Sequence, residues 1–177
     1  MRRFLDRLYA ASGGLAAVCL AGIAAVMLAQ AGMRAAGWLF AGADDFVAWL
    51  CAASAFFAMG YTFRAGEMVR VSLLVNRLPL PMRRPAEVVS LAMAFVVSAY
   101  VAWAAVGFVY ESWQIDEVAQ GLIKAPIWIP QMSLVIGSVI LAIAVLDDLV
   151  AACRGLTPGY RASEEARQVK KDFSEAL

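Results

Sequence analysis

The chain has 177 residues, of which 63% are hydrophobic and only 16% charged, with a mean hydropathy of +0.72; soluble domains are about half apolar and about a quarter charged, so the bilayer is the expected solvent. Fifteen basic and fourteen acidic residues leave a net charge of +1, which gives no electrostatic footprint for a nucleic-acid partner. Histidine is absent, which removes bis-histidine haem ligation and histidine-based zinc or triad chemistry, and Cys19, Cys51 and Cys153 lack the spacing of a metal cluster or disulfide framework.

Four stretches carry no charge: Leu8–Met33, Phe46–Phe63, Val88–Tyr110 and Ala125–Leu146. A helix rises 1.5 Å per residue and needs about 20 residues to cross a hydrocarbon core of about 30 Å. Each stretch approaches or exceeds that length. In lipid the backbone must satisfy its own hydrogen bonds, so helices are expected; the alternating strands of a membrane barrel are absent. The first stretch follows Arg2, Arg3 and Arg7 and ends near Ala29-Gln30-Ala31, which has the look of a cleavable leader. Leader apolar cores run roughly 7–15 residues, and this one is longer, so a retained helix is expected.

The basic residues set the orientation. Arg2, Arg3 and Arg7 precede the first span. Arg64, Arg70, Arg77, Arg83 and Arg84 lie between the second and third. Arg154, Arg161, Arg167, Lys170 and Lys171 follow the fourth. Only Arg34 and Lys124 lie on the opposite side. The pattern predicts both termini and the second connection in the cytoplasm. The chain thus reads as an all-α integral membrane protein with a four-helix domain over residues 1–153 and a polar cytoplasmic tail over 154–177.

Within this frame Asp44 and Asp45 open the second helix, where acids complement the helix dipole and Asp44 is placed to act as N-cap. Residues 64–85 hold too many apolar residues for a free loop and too many arginines for a span. They read as an interfacial segment whose arginines meet phospholipid headgroups. Pro126-Ile127-Trp128-Ile129-Pro130-Gln131 reads as an irregular helix start near Pro126, with Trp128 at the headgroup level and Pro130 at or past the first turn, where it would distort the helix. Asp147-Asp148 closes the fourth span, with Arg154 as the expected partner. Small residues recur every fourth position at Gly13, Ala17, Ala21, Ala25 and Ala29, and again at Ser90, Ala94, Ser98 and Ala102, a spacing that lets helices approach closely. Membrane serines are expected to bond their own backbone.

The charge-free stretches contain no group of the kind that relays protons or forms a catalytic dyad. This argues against a proton-coupled pump and leaves sodium sites built from backbone carbonyls open. No phosphate-binding G-x-x-x-x-G-K-[ST] motif is present either.

In order and spacing, several elements resemble those of the small membrane subunit (DctQ type) of tripartite ATP-independent periplasmic (TRAP) transporters. These are Asp44-Asp45 followed by Trp49; Arg64, Gly66, Val69-Arg70-Val71, Leu74 and Leu78-Pro79; Pro126-x-Trp128; and Gly137. The resemblance covers about residues 5–154. Glu67 stands where the family often has histidine, and Ser72 where it often has an acidic residue. The resemblance implies a non-catalytic subunit of the bacterial inner membrane, without a cofactor of its own. It would brace a large elevator-type membrane subunit (DctM type) that carries the sodium and substrate sites. A periplasmic binding protein (DctP type) would deliver an organic acid. Asp44, Asp45, Trp49, Arg64, Gly66, Glu67, Arg70, Pro126, Trp128, Pro130, Gln131 and Gly137 are then candidate partner-interface residues. Other readings rank behind the subunit reading in this order: a quinone-binding anchor of an oxidoreductase, a small oligomeric channel or transporter, and a membrane enzyme, for which no acid–base or nucleophile constellation is visible.

Overall fold

The computed structural model describes residues 2–66 and 80–155. It contains four long helices: α1 (Arg2–Ala35), α2 (Ala43–Arg64), α3 (Leu80–Gln114) and α4 (Trp128–Cys153). All four are long and apolar enough to cross a membrane. Residues 67–79, which carry most of the expected interfacial segment with Glu67, Arg70 and Ser72, lie outside the described residues, as does the tail from 156 onward.

The helices outrun the charge-free stretches because polar residues at a helix end sit at the headgroups without breaking the backbone ladder. What ends a helix is local geometry. At Gly37 the backbone turns left-handed (φ 81°), the Trp38 N–H returns to the Met33 carbonyl at 2.9 Å and the Gly37 N–H to that of Arg34 at 3.1 Å. This Schellman arrangement, which glycine adopts at no steric cost, closes α1.

The packing order is α1–α2–α4–α3, with the last helix in sequence sitting between the second and third. Tyr9, Ser12, Ala16 and Cys19 form the buried stripe of α1, and the Ser12 hydroxyl donates across to the Phe57 carbonyl of α2. On α3 the buried positions are Glu87, Leu91, Ser98, Ala102, Ala105, Val109 and Ser112, which is one face at helical period. The α2–α4 seam is tight. A Cβ on Gly137 would lie 2.5 Å from the backbone oxygen of Phe56, and one on Gly60 would lie 2.5 Å from Ile140 Cγ2. Glycine at these positions lets the helix axes approach where lipid supplies no hydrophobic drive.

The expected ladder on α1 works differently. Gly13 faces Tyr61, but Ala17, Ala21, Ala25 and Ala29 are exposed. A strict spacing of four drifts around a helix of 3.6 residues per turn and leaves the buried stripe. Most of the membrane serines behave as expected: Ser54, Ser90, Ser98, Ser133 and Ser138 each donate to a carbonyl three residues back, while Ser12 departs by bonding across to α2.

Candidate functional site

The polar side chains gather at the two ends of the bundle. At the end where α1 starts and α4 finishes, Arg64 leaves the last turn of α2. Its Nη2 reaches Asp6 Oδ1 at 3.2 Å, and its Nη1 reaches Asp148 Oδ1 at 3.1 Å and Asp147 Oδ2 at 3.5 Å. Three helices are thereby tied by one guanidinium, whose fork can serve several carboxylates at once. Asp148 is fully buried, whereas Asp6 is half wetted. The Tyr9 ring lies 6.0 Å from the guanidinium carbon. Below it Tyr9, Phe63, Leu91, Ile140, Ala144, Val145 and Ala152 form a core to which all four helices contribute. This arrangement corrects the sequence reading of the aspartate pair: its partner among the described residues is Arg64, not Arg154. Arg154 continues as the C-cap of α4, while Arg64 arrives from the neighbouring helix at the right height.

At the opposite end the α3–α4 connection folds back on itself. Val118 and Pro126 form a bridge, with the Ala119 N–H on the Ala125 carbonyl at 2.9 Å and the Ile127 N–H on the Glu117 carbonyl at 3.0 Å. The Ser112 hydroxyl donates to Glu117 Oε2 at 3.0 Å. Asp45 reaches over from the first turn of α2 and accepts the Ile123 N–H at 3.1 Å, seated against Gly121. Asp44 accepts from Gln30 Nε2 of α1 at 3.2 Å. Asp44 is therefore not the N-cap: Gly42, at φ 87°, holds that position without a side-chain cap, and a Cβ there would meet Ile123. The two aspartates instead tie α2 to the elements beside it.

The structure thus joins Asp45 to Gly121 and Ile123, in the connection just ahead of Pro126. Trp49 packs edge-on against Phe46, with ring centroids 5.6 Å apart. Trp128 is the first residue of α4, and Pro130 is its third. The first helical bond runs from the Gln131 N–H to the Ile127 carbonyl at 3.3 Å. Pro130 therefore lacks only a donor that would have had no partner within the helix, and the expected distortion does not arise. Gln131 buries its amide oxygen without a hydrogen bond among the described residues. Gly137 lies in the α2–α4 seam rather than at an end, and Gly66 follows α2 at φ 73°. Asp6, Tyr9 and Ile123 were not singled out by sequence. Asp6 carried a usable signal, as an acid among the arginines at the start of a span.

Chemically, these groups hold helices together. Among the described residues no three His, Cys, Asp or Glu side chains stand together in a way that could hold a metal ion.

No curated protein matches the sequence significantly. The family model described as tripartite ATP-independent periplasmic transporters, DctQ component, matches residues 23–155, the segment containing the last third or so of α1 and the whole of α2–α4, with Arg64, Asp147 and Asp148 at one end and Asp45 and the α3–α4 connection at the other. The family supplies a component of a transporter and not an enzyme, and its members work with DctM and DctP partners. This multi-pass membrane chain belongs to the DctQ family of TRAP transporter components.

Proposed function

We propose that the chain is the small permease subunit of a sodium-driven, binding-protein-dependent importer of organic acids in the bacterial inner membrane. In this reading it braces the large elevator-type subunit, which carries the sodium and substrate sites. The family match over residues 23–155 carries the proposal. The placement of charge supports it: Asp6, Arg7, Arg34, Asp44, Asp45, Arg64, Glu87, Glu111, Asp147 and Asp148 all lie near helix ends. A span that couples ions usually keeps an ionisable group at depth. The tethered helices make a stiff unit suited to holding a moving neighbour.

Proteoliposomes under a sodium gradient test this reading. Organic-acid uptake should require this chain, the large subunit and the binding protein together. Equal uptake without this chain would remove the bracing role.

The arginine distribution supports an orientation with the Arg64 end in the cytoplasm and the Asp45 end in the periplasm. In a background lacking Cys19, Cys51 and Cys153, an impermeant thiol reagent added outside should label Ala41→Cys and miss Asn76→Cys. The reverse pattern would invert the orientation.

A further inference from the structure

Among the described residues the helix α3 packs extensively only against α4, and its exposed face through the middle of the span is apolar, with Met93, Val96, Val97, Val106 and Phe108 among its residues. At the centre of the Pro85–Gln114 span this face carries Tyr100 and Trp103, 65% and 73% exposed, with their rings 6.0 Å apart. Aromatic residues with polar atoms normally sit at the membrane interfaces, where the polar end stays wet. One pair on the same helix does so. Tyr110 and Trp113, 6.1 Å apart near its end, have the Tyr110 hydroxyl accepting from Gln114 Nε2 at 2.9 Å. Ten residues deeper, the Tyr100 hydroxyl and the Trp103 indole N–H have no hydrogen bond among the described residues. At 1.5 Å per residue each lies about 15 Å along the helix from its counterpart in that terminal pair, at hydrocarbon depth in a span of this length. Hydrocarbon offers them no acceptor, and a buried polar group without one is costly.

We infer that this outer face of α3, centred on Tyr100 and Trp103, is where the large membrane subunit docks. The inference rests on the subunit reading above and names the surface that serves it. The occupant must be polypeptide, because only a neighbouring helix brings hydroxyl, amide or carbonyl acceptors to that depth. A second copy of this chain suits the face poorly. Symmetric pairing centred on these rings would set four side-chain donors, two phenolic O–H and two indole N–H, against two phenolic oxygens. One turn beyond Trp103, Gly107 has open space where its Cβ would stand. The ring therefore borders a shallow notch that a partner side chain can fill.

Photo-crosslinking of the assembled transporter in native membranes tests the inference. Photo-reactive p-benzoylphenylalanine replaces Tyr100, Trp103 or, as the comparison position, Leu28 on the exposed face of α1. Positions 100 and 103 should give adducts of this chain with the large subunit, about tenfold or more above position 28, a ratio that reflects a real difference in occupancy. Adducts with a second copy of this chain, or yields no higher than at position 28, overturn it. Co-purification with the unsubstituted chain separates the two readings. If the large subunit does not come down, the subunit reading itself fails. If it comes down but crosslinks form only at position 28, the docking face alone is wrong. The double variant Tyr100→Phe with Trp103→Phe keeps an aromatic ring at each position, a smaller one at 103, and removes the polar atoms. It should lower co-purified large subunit severalfold while this chain's own level in the membrane stays constant. Unchanged recovery overturns the hydrogen-bonding argument.

Discussion

The two ends of the bundle are tethered by different means. Among the described residues, one guanidinium at one end serves Asp6, Asp147 and Asp148. At the other, backbone hydrogen bonds at Ala119, Ile127 and Ile123 share the load with Asp45, Asp44 and Glu117. The first device concentrates its strength in one residue. The second distributes it, so no single side chain is decisive.

The largest effect should come from Arg64→Ala. Removing one partner of a buried ion pair leaves the other charge uncompensated, and losses of about 3–5 kcal/mol are typical. The partly wetted position of Arg64 favours the lower part of that range. Thermal unfolding in detergent, followed by tryptophan fluorescence, should show the drop; wild-type stability would break the contrast between the two ends.

Next comes the seam joining them. Gly137→Ala drives a Cβ into the Phe56 backbone oxygen, and overpacking of this kind costs about 1–3 kcal/mol. Gly60→Ala meets only a methyl group of Ile140 and should cost less in the same assay. If the two rank the other way, the seam is not set by backbone contact.

At the distributed end Asp45→Ala should cost about 1–2 kcal/mol, the scale of a hydrogen bond to a charged group. Its signature is local: faster amide exchange at Ile123 with little change at Ala119 or Ile127. Loss of protection across the whole connection would mean that this end, too, hangs on one residue.

The smallest effect belongs to Asp6→Asn. Asp6 is 54% exposed, and solvent-exposed pairs contribute about 0–1 kcal/mol. A large loss would show that all three aspartates act as one unit and would sharpen the contrast.

Much of the fold was legible because bilayer thickness dictates helix length and charge marks helix ends. The number of spans and the shared end of α1 and α4 follow from those two constraints. Packing partners did not follow. Alanine is abundant enough to form ladders on any face, and only the neighbour's position separates Gly13 from the exposed Ala21. Arg64 was visible as a charge at a helix end, but its three partners come from residues 58, 83 and 84 positions away, a separation no local pattern encodes. Pro130 was misread because its effect depends on whether the helix starts at residue 126 or 128, a margin of two residues at a boundary.

The order α1–α2–α4–α3 has a consequence for biogenesis. Synthesis delivers α3 to the membrane before α4, yet α4 supplies nearly all the packing surface that α3 has within the chain. During that interval α3 resides in lipid without its neighbour, and Arg64 waits without Asp147 and Asp148. The final helix therefore acts as a keystone: its insertion seats α3 and closes the ionic clasp in one event. A nascent chain stalled before residue 128 would hold a paired α1–α2 and an unseated α3, which makes completion of the last span the step at which the subunit becomes competent to assemble.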